Sequence, residues 1–200
     1  MTYRLDDEET KPDETPPPLP GFAADKALFD ARILTLTGEI NDKQAKRITD
    51  SLLALSAAKD DPITLVISSP GGHVESGDMI HDMIKFVKPR VRVLGTGWVA
   101  SAGALIYCAA DKADRYSLPN TRFLLHEPRG GVGGAASDVA IQAREILRMR
   151  ERLNRIFAAA TGQSLDRIKA DTDRDHWMMA QEAKDYGLVG SIITGMDELI

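Results

Sequence analysis

Residues Ile63-Thr-Leu-Val-Ile67 form an unbroken apolar run that Ser69-Pro70-Gly71-Gly72 cuts off, after which Met79, Ile80, Met83, Ile84 and Val87 recur at helical spacing. A run so nearly apolar throughout is the pattern of a strand covered on both faces, as in parallel sheets, and parallel neighbours must be joined through crossovers, usually helices. The rest of the chain repeats the alternation. Ile33, Leu34 and Leu36 read as a strand ended by Gly38, and Asn41 offers an N-cap to a helix carrying Ala45, Ile48, Leu52 and Leu55. Pro89 stops the second helix, and Val91 to Leu94 reads as the next strand. Ser101 to Ala110 suits a buried helix of small residues, while Arg115 to Leu118 and Arg122 to His126 suit short strands about a Pro119-Asn120 turn. Gly130 to Gly134 lead into the longest helix, Asp138 to Ala160, with Ser137 as its candidate cap. A short helix after Ser164, another at Gln181 to Tyr186 closed by Gly187, and a strand at Leu188 to Ile193 complete the chain. The pattern predicts an α/β domain with a mostly parallel sheet and right-handed crossovers, its chemistry gathered where strands hand over to helices.

The 200 residues make one domain, expected over 25–200. The first 20 residues hold six acids and five of the ten prolines, too little apolar surface to offset the entropy of ordering them. Residues 1–24 are therefore expected to be a flexible tail, and with neither a basic n-region nor an apolar h-region they do not read as a secretory signal. The lone cysteine, Cys108, excludes an internal disulfide and a thiolate metal cage and fits a reducing cytoplasm. A net charge of −5 disfavours nucleic acid and anionic membranes. The basic stripe Arg144, Arg148, Arg150, Arg152 and Arg155, interleaved with Glu145 and Glu151, reads as a solvated or subunit-pairing helix face. Val99 to Ala110 is about half a membrane span.

Several local patterns point to cofactors and fail on their chemistry. Gly131-Val-Gly133-Gly-Ala-Ala136 lacks the tight first turn and the following acid of a dinucleotide fingerprint. Asp171, Asp173, Asp175 and Glu182 have the spacing of a calcium loop, but His176 occupies the position of the obligatory glycine. His73, Glu75, Asp78 and His81 complete no three-ligand metal set, and no phosphate loop ending in Gly-Lys-Ser/Thr is present, so no metal or other cofactor is expected. What remains is nucleophilic catalysis. Ser101 stands among small neighbours in Ala100-Ser-Ala-Gly103, His126 closes a strand before Pro128, and Asp175 ends an acidic cluster. Alone, each is more often structural. The glycines of Ser69-Pro-Gly-Gly72 change the balance, because backbone amides at a strand-to-helix junction can face a developing oxyanion, and the N–H groups of Gly72 and Ala102 are expected to converge on one oxygen.

Ser69-Pro-Gly-Gly72, Ala100-Ser-Ala-Gly103, Leu118-Pro-Asn120, His126-x-Pro128-x-Gly-Gly131, Ala143-Arg-Glu-Ile-Leu147, Thr161-Gly-Gln-Ser164 and Asp171-Thr-Asp-Arg-Asp175, taken in order, resemble the ClpP family of proteolytic subunits from about Ile33 to Thr194. The resemblance implies a ClpP/crotonase-like fold of repeated β-α units with a protruding strand–helix handle. It implies a serine endopeptidase in which Ser101 is the nucleophile, His126 the base and Asp175 the orienting acid. It further implies stacked rings of seven subunits enclosing a chamber, unfolded polypeptides as substrates, and an ATP-driven unfoldase of the ClpX or ClpA type as partner. The segment Gly130 to Gly134, including Gly133 and Gly134, and Arg174 would form the contact between rings. Four features depart from the family pattern: Thr64 and Val66 replace aromatics where the unfoldase docks, Gly133-Gly134-Ala135 replaces a more polar stretch, Arg129 replaces an apolar residue beside the cleft, and the tail is acidic. These suggest a divergent paralogue suited to a mixed ring. Two alternatives stay open: a non-catalytic ring subunit modulating an active paralogue, and an acyl-CoA enzyme of the crotonase type, which also uses paired amides but has no need of Ser101, His126 and Asp175 together.

Overall fold

The structure, a computed structural model, describes residues 20–131 and 133–199. Most of the expected tail lies outside them, but helix α1, Pro20–Asp30, crosses the expected boundary at residue 25, with proline at its first position and Ala23, Ala24, Lys26, Ala27 and Leu28 as helix formers. Next come β1 (Ile33–Thr37), α2 (Asp42–Ala58), β2 (Ile63–Ser69), α3 (Val74–Phe86), β3 (Val91–Ala100) and α4 (Ala102–Tyr107). The remainder is β4 (Arg115–Ser117), β5 (Arg122–Leu125), α5 (Ala136–Thr161), α6 (Leu165–Thr172), β6 (His176–Met179), α7 (Ala180–Tyr186) and β7 (Ser191–Ile192).

The main sheet runs β1-β2-β3-β4-β7, parallel throughout. Ile63, Leu65 and Ile67, which share one face of β2, have no exposure, whereas Val66 and Ser68 on the opposite face are only half-buried, so the cover expected on both faces is complete on one. Their cover includes Ile48 and Leu52 of α2, Ile80 of α3 and Leu105 of α4. The rings of Tyr107 and Phe123 meet edge-on at 5.2 Å, and the Tyr107 hydroxyl donates to Tyr116 O at 2.8 Å. Cys108 is buried in this core, which pushes its thiol up to about 12. Asn41 caps α2 through Gln44 N at 3.0 Å, and Ser164 caps α6 through Arg167 N at 3.2 Å.

Four further expectations are corrected. Strand β3 does not stop at Leu94 but continues to Ala100. A bulge between Gly95 and Val99 takes up the extra residues, so that Ile67 pairs with Gly95 while Ser69 pairs with Val99, and Gly97 within it takes φ +63°. Helix α5 begins at Ala136, leaving Ser137 inside it and Ala135 at the cap position without a side-chain bond. The last strand is reduced to Ser191–Ile192, because Ala183 O captures the amides of Leu188 and Val189 at 2.9 and 3.1 Å. Strand β6 was not expected; it pairs antiparallel with β5 and buries Met178.

Candidate active site

The nucleophile candidate stands at the turn from β3 into α4. Ser101 adopts φ 55° and ψ −120°, a conformation costly for any residue with a Cβ, held by its amide donating to Leu124 O at 3.0 Å and its carbonyl accepting from Leu105 N at 3.1 Å. Although Val99 breaks the Gly-x-Ser-x-Gly pattern, the backbone makes the same kind of sharp, strained turn.

Against this turn lies the loop that ends β2. Ser69 Oγ donates to Gly38 O at 2.6 Å and accepts from Gly71 N at 3.1 Å. Ile40 N donates to Gly71 O and His73 N to Ile40 O, at 2.8 and 2.9 Å, which pins the peptide on either side of Gly72. Gly72 N itself has no acceptor among the described residues, and Ala102 N opens a helix, where the first amides lack intrahelical acceptors. Gly71, at φ +98°, is the closer glycine: a Cβ there would fall 2.6 Å from Ser101 Cβ and 3.1 Å from Ser101 Oγ. Sequence reasoning chose Gly72 for its amide and passed over Gly71 as the residue that yields space. Gly71→Ala is expected to cost about 1 to 3 kcal/mol in thermal unfolding and to slow acylation of Ser101 at least about tenfold. Unchanged values of both would show that the loop does not abut the serine. The far side of the loop is anchored by Ser76 Oγ, which donates to Asp42 Oδ1 at 2.6 Å and lies 2.7 Å from His73 Nδ1; the Ser76 hydroxyl holds the Asp42 carboxyl below its ordinary value.

The remaining two candidates arrive by register. Leu125 of β5 pairs with His176 of β6, so the residue after β5, His126, and the residue before β6, Asp175, emerge side by side. Their side chains meet, Nδ1 of His126 lying 3.0 Å from Oδ1 of Asp175, with the imidazole 13% exposed. Because β5 pairs in turn with the far end of β3, Ala100 opposite Leu124, all three candidates stand at neighbouring strand ends. No hydrogen bond joins Ser101 Oγ to His126 among the described residues. The imidazole and the carboxylate are thus bonded to each other, and the serine hydroxyl to neither.

The other marked residues fall elsewhere. Arg129, flagged only as a departure from pattern, bonds Oδ1 of Asp175. Arg174 is 86% exposed and donates to Asp173 O of its own chain at 2.9 Å; nothing lies within 4 Å of a Cβ built on Gly133, and Gly134 takes φ +120°. The calcium pattern is dispersed. Asp171 accepts from the Tyr186 hydroxyl at 2.7 Å, Asp173 faces Arg150, and Glu182 caps Met179 N at 2.7 Å. No cluster of three or more metal-ligating side chains occurs among the described residues. The basic stripe is largely neutralised: Arg148 pairs with Glu145, Arg150 with Glu127, Arg152 with Asp78 and Arg155 with Glu151. No helix among the described residues is long and apolar enough to cross a membrane.

A mostly parallel α/β sheet that brings a serine, an imidazole and a carboxylate to adjoining strand ends holds the groups that a serine hydrolase uses. The family model for Clp protease matches residues 22–196. The chain is 58% identical over 194 residues to the ATP-dependent Clp protease proteolytic subunit 3 of Rhizobium meliloti, covering 97% of this chain and 98% of that protein. It is 57% identical over 168 residues to proteolytic subunit 2 of Pseudomonas aeruginosa, covering 84% of each. The solved structure of ClpP1 from Listeria monocytogenes is similar with a TM-score of 0.80 at 53% identity, over 88% of this chain and 99% of that one. The chain belongs to the Clp protease family.

Proposed function

We propose that this chain hydrolyses peptide bonds of unfolded polypeptides through an acyl-enzyme, with Ser101, His126 and Asp175 as its triad. The observation that carries the site assignment is the His126–Asp175 hydrogen bond at neighbouring strand ends beside the strained Ser101. Ser101 Oγ attacks the scissile carbonyl carbon and its proton passes to His126 Nε2. Asp175 fixes the tautomer through Nδ1 and stabilises the imidazolium. The amides of Gly72 and Ala102 receive the oxyanion, the leaving amine takes the proton from His126, and water then releases the acyl group by the same steps. The separation of Ser101 from His126 fits a free site, since such hydrogen bonds often tighten only when substrate is bound.

The wider reading is a cytoplasmic subunit of two stacked seven-membered rings, fed by an ATP-dependent unfoldase of the ClpX or ClpA type. Gly133, Gly134 and Arg174 lie at the contact between rings. A mixed ring with a second proteolytic subunit belongs to the same proposal, supported by the numbering of its relatives as subunits 2 and 3. The test is fluorophosphonate labelling of the assembled chain followed by peptide mapping. Label on Ser101, with hydrolysis of casein, is expected. Absence of label in any assembly, with or without a paralogue, would assign the chain a non-catalytic place in the ring.

A further inference from the structure

Asp175 serves two partners through one oxygen. Its Oδ1 takes His126 Nδ1 at 3.0 Å and also the Arg129 guanidinium. Arg129 comes from the loop after β5, three residues beyond His126, and its side chain is 64% exposed, so this ion pair and not burial sets where it points. The neighbouring charges are committed to one another. Glu127 pairs with Arg150 of α5 at 3.0 Å, Arg150 also reaches Asp173 at 3.3 Å, and Arg174 lies 3.7 Å from Asp173. Ser101, approaching from the β3–α4 turn, brings no charge. Among the described residues Arg129 is thus the one fixed cation on the carboxylate that His126 uses.

In a triad the carboxylate acts on the imidazole by its negative charge, which favours the imidazolium as the serine proton arrives. A guanidinium bonded to the same oxygen cancels part of that potential and competes for its lone pairs. We infer that Arg129 is a positioning residue that divides the Asp175 carboxylate between itself and His126 and so tempers the imidazole's readiness to accept the Ser101 proton. This rests on the triad reading above. Arg129 gives up no proton; the transfer from Ser101 to His126 keeps its balance, and Arg129 changes only the field in which it occurs.

The sign of the effect follows. Removing the guanidinium leaves Asp175 to His126 alone, favours the imidazolium, and moves the acid limb of Ser101 acylation to higher pH. The experiment measures the rate of fluorophosphonate acylation on the assembled full chain from about pH 5 to 9. Arg129→Leu and Arg129→Gln are expected to shift the acid limb up by about 0.5 to 1 pH unit, and Arg129→Lys to stay near the parent. In an Asp175→Asn background, Arg129→Leu should add no further displacement. Labelling of Ser101 with the same limb in parent, Leu and Gln forms overturns this inference alone, as does a Lys form displaced as far as Leu. No labelling in any form overturns the triad reading and this inference with it.

Discussion

Alanine at position 101 is expected to lower peptide hydrolysis by on the order of 10⁶-fold while the assembled particle keeps its mass. The asymmetry comes from what the substitution removes. Ser101→Ala keeps the Cβ that already tolerates φ 55°, and deletes a hydroxyl that makes no hydrogen bond among the described residues. Folding stability should therefore change by no more than about 0.5 kcal/mol. The backbone amides of Gly72 and Ala102 remain, so some acceleration over water persists, as it does when a triad loses its nucleophile. Native mass spectrometry beside a short-peptide assay separates the outcomes. Hydrolysis at the parental rate removes Ser101 from the chemistry, and loss of the particle makes the residue structural.

The second large effect belongs to the acid. Asp175→Asn preserves shape but presents an amide where the imidazole needs an acceptor, which favours the wrong tautomer, and turnover is expected to fall on the order of 10⁴-fold. Arg129 loses its ion pair at the same time, but that pair is exposed on the arginine side and contributes little to stability. Turnover within a few-fold of the parent would mean that the imidazole is oriented by something other than position 175.

Much of this was legible before any coordinates. The buried face of β2 was written in Ile63, Leu65 and Ile67, although the apolar run pointed to cover on both faces and Val66 is only half-buried; Asn41 and Ser164 announced helix starts that their side chains do cap. Harder to see were features set by pairing between distant segments. The bulge that extends β3 depends on Ser69 meeting Val99, and Gly95 and Gly97 look like strand breakers when read locally. Strand β6 was hidden because His176-Trp-Met-Met lacks β-branched residues and follows an acidic cluster; its strand character comes from lying against β5. At the site, residue types suggested serine, histidine and aspartate, but only the Leu125–His176 register explains why the last two touch. Spacing alone gave no sign that Arg129 would reach Asp175, since side-chain reach across a loop is not encoded in a motif.

Ser101 is held from two sides, through α4 and through its amide on Leu124 O, while His126 and Asp175 extend from the β5–β6 pair, whose Phe123 and Leu125 have no exposure. The strand that steadies the serine's strained turn is therefore also the strand that delivers the imidazole.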